Sequence, residues 1–279
     1  MLAELSEGVA RGPVAGIYDD IRRLWAVPYV SSLQRHLATK PGWLEWSWST
    51  LAPAFLSGAA QTVAWRLAAE LKLPPLPRIE PGSIGLDGND VRMVKDICAS
   101  FVRVAPVNLM FAGLLRRLLN GQVPDGAGWP DLDQSPPWSP PPMTPSLPAM
   151  LDIKAAPDEI RAALLRLGTD VDGVPFVPGL YRILAHWPAL IQKWADLLPA
   201  QKNADETEAA RVELLRRIDS AVGEIFATLP AHAPALAPVQ MPSPRERDAV
   251  LAVLDTYRRT SPEMVIFGQV ISNAMNSAS

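Results

Sequence analysis

Val27-Pro28-Tyr29-Val30-Ser31-Ser32-Leu33-Gln34-Arg35-His36-Leu37-Ala38-Thr39-Lys40-Pro41 aligns without a gap on Val174-Pro175-Phe176-Val177-Pro178-Gly179-Leu180-Tyr181-Arg182-Ile183-Leu184-Ala185-His186-Trp187-Pro188, and eight of the fifteen pairs are identical. Background composition would give about one, so the chain reads as an internal duplication, the first feature to look for in a long sequence. Two further stretches keep the same order. Asp19-Asp20-Ile21-Arg22 answers to Asp158-Glu159-Ile160-Arg161 upstream, and Phe101-Val102-Arg103 through Pro106 to Phe111 answers to Tyr257-Arg258-Arg259 through Pro262 to Phe267 downstream. Each copy then has an ordinary domain size.

The expected organisation is a first repeat over 1–122, a connector over 123–150 and a second repeat over 151–279, together forming a pseudo-dimer within one chain. Nine of the 29 prolines fall between Val123 and Met150. A stretch so short of backbone donors runs as an extended, partly polyproline link.

The periodicity inside the copies is helical. Asn203 to Glu208 forms an acidic first turn, Val212, Leu215, Ile218, Val222 and Ile225 follow at spacings of three and four, and Leu229-Pro230 stops the run. Ser243-Pro244-Arg245-Glu246 is a capping-box pattern that opens Val250, Leu251, Leu254 and Tyr257 at the same period. Asn89 or Asp90 plays that part for Val91, Val94, Ile97, Cys98 and Phe101. Strand-like alternation around two-residue glycine turns is not read anywhere, so the fold class expected is all-α, with prolines punctuating short helices or kinking long ones.

Composition narrows the function. Of 279 residues 48% are apolar and 20% charged, which describes a folded, core-burying chain. A net charge of -3 leaves no excess of cations for a phosphate backbone, so nucleic acid is not an expected partner. The longest apolar stretch, Leu51 to Leu71, is interrupted by Pro53, Gln61, Arg66 and Glu70, whereas a bilayer span wants about 20 largely uncharged residues. No membrane partner is expected, and the acidic opening residues lack the pattern of an export signal. The expected location is the cytoplasm; self-association is left open.

Standard chemical signatures are absent from the sequence: it has no glycine-rich phosphate loop, no Gly-x-Ser-x-Gly elbow and no His-Glu-x-x-His. The single cysteine, Cys98, lies in an apolar-periodic run and reads as a core residue. His36, His186 and His232 have no ligand spacing, so a protein-only metal site is not expected. Arg35 and Arg182 take equivalent places in the copies and could clamp a carboxylate, although local pairing is the commoner use of such residues. Trp25, Trp43, Trp46 and Trp48 read as core and interface aromatics.

The order Asp19-Asp20-Ile21-Arg22, Val27-Pro28-Tyr29-Val30, Leu37-Ala38-Thr39-Lys40-Pro41-Gly42-Trp43-Leu44 and Leu184-Ala185-His186-Trp187-Pro188 resembles the group I 2-haloacid dehalogenases, a cofactor-free family. The resemblance runs through nearly the whole chain. It implies an all-helical pseudo-dimer with its site between the repeats, where an aspartate activates water to displace halide from carbon 2 and an asparagine helps to place that water. It also implies a small-molecule substrate, with a carboxylate as the candidate.

Matched residue by residue, the resemblance puts Leu180 at the catalytic aspartate, Gly179 at the serine before it and Ala105 at the asparagine. Ser57 and Gln61 fall on a family threonine and glutamate. The pocket wall matches better: Tyr29 stands for a tryptophan, Ser32 and Tyr181 for phenylalanines, and Tyr257 for a tyrosine, while Asn108 lies one turn from the lost asparagine. Tyr257 and Asn108 are therefore the candidate catalytic groups, and Tyr29, Ser32, Ser57, Gln61, Ala105, Gly179, Leu180 and Tyr181 the candidate substrate-binding ones. The function expected is that of a divergent dehalogenase-like enzyme acting on a small organic acid or metabolite without aspartate-activated water. The alternatives are a non-catalytic binding or scaffold protein on the same fold, or a true hydrolytic dehalogenase if Leu180 is misaligned and a carboxylate occupies the site.

Overall fold

Proline, small residues and apolar periodicity divide the chain into ten helices among the described residues: α1 Gly12–Trp25, α2 Ser32–Leu37, α3 Trp43–Leu56, α4 Ala59–Ala69, α5 Gly88–Leu119, α6 Asp158–Leu167, α7 Gly179–Leu184, α8 Pro188–Lys202, α9 Asp205–Thr228 and α10 Pro244–Ala274. The structure is a computed structural model and describes residues 3–126, 138–171, 173–230 and 244–275. His232, the cap position Ser243 and the connector prolines Pro130, Pro136 and Pro137 lie outside the described residues. The all-α expectation holds, and helix α9 occupies the span its acidic first turn and Leu229-Pro230 delimit.

Two local readings change. The α5 cap is Asp87, whose Oδ1 accepts the backbone N–H groups of Asn89 at 2.7 Å and Asp90 at 2.9 Å, rather than Asn89 or Asp90. A small antiparallel hairpin, β1 Thr169–Val171 with β2 Val174–Phe176, stands where no strand was read. The sequence between these strands is Asp172-Gly173, a favoured hairpin dipeptide, and Gly173 has the required left-handed φ of 80°. Asp170 lies in β1 opposite Pro175.

The chain forms two compact units, and each draws on both halves of the sequence. Unit 1 comprises 1–70, 106–143 and 215–261; unit 2 comprises 71–105, 144–214 and 262–279. Helices α5 and α10 pass from one unit to the other at their internal prolines, Pro106 and Pro262, where the missing N–H breaks the helical ladder. The two helices share more than this. They begin at aligned positions, as do α2 and α7, which have six residues each.

In unit 1, α1 places Ile17, Tyr18, Ile21, Leu24 and Trp25 on one buried face. It ends in a Schellman turn: Val27 N–H donates to Arg22 O at 3.2 Å and Ala26 takes a left-handed φ of 53°, which aims the chain at α2. Trp25, Phe55 and Phe111 make the centre of this unit, with ring centroids 5.9 to 6.2 Å apart, and Trp48 stacks on Phe55 at 5.8 Å. Trp43 is buried as well and meets Trp46 edge-on.

In unit 2, α6 packs on α8, and Leu164, Leu167, Leu180, Leu184, Ile191 and Trp194 are fully buried. Cys98 is a core residue here, its thiol pushed up to about 12 by burial. The apolar run of α5 is long enough to cross a membrane by length and composition, yet 83% of that window is buried inside the protein, which marks a core helix.

Helices α5 and α10 come close in unit 2 because Gly268 has no side chain: a Cβ there would lie 2.7 Å from Val102 Cγ2 and 3.3 Å from Cys98 O. Gly268→Ala must push the helices apart or bend a rotamer, at a cost of about 1–3 kcal/mol. Chemical denaturation should report that loss with an unchanged m-value.

Candidate functional site

Each unit packs a six-residue helix against a long helix that has just passed its proline, and the candidate residues gather at these two places. In unit 1 the short helix is α2. Asn108, two residues past Pro106, donates from Nδ2 to Ser31 Oγ at 2.7 Å and accepts Gln34 Nε2 at 3.2 Å through Oδ1. Beside this amide chain Ser32 and Tyr257 share a hydroxyl–hydroxyl hydrogen bond. Burial drives the Tyr257 phenol well above the usual tyrosine range, against the pull of the Ser32 contact and of the Leu33 backbone N–H. Burial does the same to Tyr29. The Oε1 of Gln34 is buried without a partner.

Two other candidates are engaged with backbone. Gln61 sends its Nε2 to Leu24 O at 3.2 Å and Phe55 O at 2.9 Å. Ser57 ends α3, donating to Ala54 O at 3.2 Å and accepting Ala59 N–H at 3.3 Å. Both brace the turns around α3 and α4.

In unit 2 the short helix is α7. A Cβ on Gly179 would lie 2.9 Å from Met150 Cε and 3.2 Å from Phe101 Cζ, so apolar side chains lie against this half-buried residue. Leu180 has no exposed surface, and Ala105 is buried too. Tyr181, also fully buried, donates to Glu263 Oε1 at 3.0 Å. Burial first, and then the Glu263 charge, hold its phenol far above the ordinary range.

Glu263 is the group the sequence reading missed. It is 1% exposed, accepts Thr169 Oγ1 at 2.8 Å through Oε2, and pairs through Oε1 with Lys202 Nζ at 2.8 Å. Lys202 also reaches Leu167 O at 2.7 Å and Gly168 O at 3.1 Å. A carboxylate and an ammonium so deeply placed are tolerable only with this full set of partners. One signal was available: Glu263 interrupts the apolar run that continues Met264-Val265-Ile266-Phe267, at the position where the first copy has Val107.

The two places correspond. Ser32 and Gly179 are aligned, as are Tyr257 and Phe101, and each small residue meets its aromatic. Unit 1 has made that contact polar and unit 2 apolar. Among the remaining candidates, Arg35 pairs with Glu4 at 2.6 Å and Arg182 Nε donates to Leu151 O at 2.9 Å, while Leu5 and Leu151 donate backbone N–H to the carbonyls of Arg35 and Arg182. The two arginines therefore tie α2 and α7 each to a stretch of chain upstream of it. His36 and His186 likewise hold the Ala3 and Ala149 carbonyls, each at 2.8 Å.

Lys202→Met strands a buried carboxylate and should cost about 3–5 kcal/mol, whereas Lys202→Met combined with Glu263→Leu should recover most of that loss. Urea denaturation of the two singles and the double measures the coupling.

No family model matches the chain. Over 270 residues it is 27% identical to a configuration-inverting 2-haloacid dehalogenase of Alcaligenes xylosoxydans xylosoxydans, covering 94% of this chain and 90% of that protein. Its fold is similar to a D-2-haloacid dehalogenase mutant in complex with D-2-CPA, with a TM-score of 0.75, 16% identity and coverage of 99% and 96% of the two chains. It is similar also to a D-2-haloacid dehalogenase with L-LA, at a TM-score of 0.73, 17% identity and coverage of 99% and 97%. Sequence likeness along nearly the whole chain and the shared all-helical fold thus agree with the motifs around α2 and α7 in making this protein similar to the 2-haloacid dehalogenases.

Proposed function

We propose that this chain binds a small 2-substituted carboxylic acid of the kind its relatives act on, and that it does not hydrolyse it through a carboxylate-activated water. The observation that carries this reading is the packing at Leu180, the residue matched to the family's base: it has no exposed surface, and Met150 and Phe101 lie against its neighbour Gly179. A general base must present a lone pair to the water it activates. Leucine has none. Glu263, the buried acid in the same unit, has both oxygens taken by Tyr181, Lys202 and Thr169.

Unit 1 keeps the better recognition chemistry. Two hydroxyls that share one hydrogen bond use one proton between them, so the Ser32–Tyr257 pair has a second to offer a ligand. Asn108 and Gln34 fix the turn that presents Ser32. Neutral donors of this kind recognise a carboxylate or hydroxyl without supplying a base. In this reading Tyr257 donates a hydrogen bond to the bound acid, and Asn108 acts through Ser31 by fixing the turn that carries Ser32, the partner of Tyr257. A second reading, binding without chemistry, is favoured by the apolar side chains against Gly179.

Wild-type protein should release no halide from 2-chloropropionate above the uncatalysed rate, and calorimetry should detect binding that Tyr257→Phe weakens roughly three- to tenfold. Rapid halide release by the wild type would contradict the proposal. Leu180→Asp tests the residue match: gain of halide release in that variant, with folding checked by circular dichroism, supports it.

A further inference from the structure

The C-terminal end of α5 in unit 1 carries Arg116 and Arg117, and together with α9 and α10 it borders a cleft of about 360 Å³ that none of the groups above uses. Its other charged walls are Asp219 of α9 and Asp255 and Arg258 of α10. The charges are not matched one to one. Arg258 holds Asp219 through two parallel bonds of 2.6 and 2.7 Å, and Arg116 holds Asp255. Both carboxylates are thereby taken, and a third guanidinium remains.

Among the described residues, that guanidinium, Arg117, is held by neutral groups alone. Its Nη1 donates to Gln122 Oε1 at 2.8 Å, and its carbon lies 5.8 Å from the centre of the Phe226 ring. Its Nη2 rests against Gly223, where a Cβ would come within 3.1 Å of it. One turn earlier on α5, Gly113 lets α9 approach so closely that a Cβ would lie 2.7 Å from Val222. Two glycines therefore shape this wall, and the second is what leaves room for the guanidinium. Arginine offers five donors in a planar fork, and Gln122 accepts from only one of its nitrogens.

We propose that this cleft is a binding site for a small monocarboxylate, with Arg117 as its anchor and the side-chain amides of Asn120 and Gln122 beside it. Three guanidiniums and two carboxylates leave a single positive charge, which one carboxylate neutralises and a phosphate dianion would overshoot. The fork geometry of an arginine suits the two oxygens of a carboxylate, and the volume is ample for an acid of a few carbon atoms. The site is separate from Ser32, Tyr257 and Asn108 and does not rest on the function proposed for them.

The test is a titration of the full chain with propionate at constant ionic strength, following the side-chain amide resonances of Asn120 and Gln122 by NMR. Saturable shifts are expected in the wild type. Arg117→Gln should weaken the binding about tenfold or abolish it, and Gly223→Ala, which moves the guanidinium without removing it, should weaken it about threefold. Thermal denaturation of both variants checks that they fold. The proposal is overturned if the shifts do not saturate, if they persist unchanged in Arg117→Gln, or if inorganic phosphate saturates them at a lower concentration than propionate.

Discussion

A carboxylate sealed inside a helical core has to be met by donors on every side, and the ring of Tyr181, Thr169 and Lys202 around Glu263 supplies them. This cluster governs unit 2. Lys202 closes α8 onto the carbonyls that follow α6, Thr169 opens the hairpin, Tyr181 sits in the middle of α7, and Glu263 is the first residue of α10 after its proline. The direction in which α7 presents Gly179 and Leu180 is therefore set by an ion pair that cannot be broken cheaply. In unit 1 the corresponding joint, between α2 and the post-proline part of α5, is made by the neutral amides of Gln34 and Asn108.

That difference bears on chemistry. Group I dehalogenation, as the family resemblance implies it, asks for a desolvated base that still faces water and substrate. Here the matched position is a buried leucine, and Glu263, a buried acid of the same unit, is held by Tyr181, Thr169 and Lys202. The polar groups of the proposed site in unit 1 are uncharged: Ser32 and Tyr257 carry hydroxyls and Asn108 an amide. A fold transmits a place for chemistry but not the chemistry itself.

The alignment of 27–41 on 174–188 made much of the fold legible. Its ungapped alignment matches α2 and α7 residue for residue, and the pairing of Phe101 with Tyr257 anticipates two long helices beginning at aligned positions with their prolines in register. Other features were hidden for physical reasons. The compact units cut across the sequence halves because a helix that continues through a proline can pack its two ends on different cores, and local periodicity says nothing about which core each end joins. The hairpin was missed because each strand has three residues, too few for alternation to register. Ser57 and Gln61 could be matched to a family pattern from sequence, but only geometry shows their polar atoms directed at backbone carbonyls and amides. Glu263 was overlooked because a resemblance directs attention to the positions where a family keeps its acid, and this acid stands elsewhere.

The central claim is that Glu263 fastens the fold and does not meet the substrate. The most direct measurement is the ¹³C chemical shift of its side-chain carboxyl, assigned by comparison with Glu263→Gln, while 2-chloropropionate is added to the wild-type protein. The account predicts a resonance that stays where it is throughout the titration. A saturable displacement of that resonance would place the carboxylate against the ligand and contradict it.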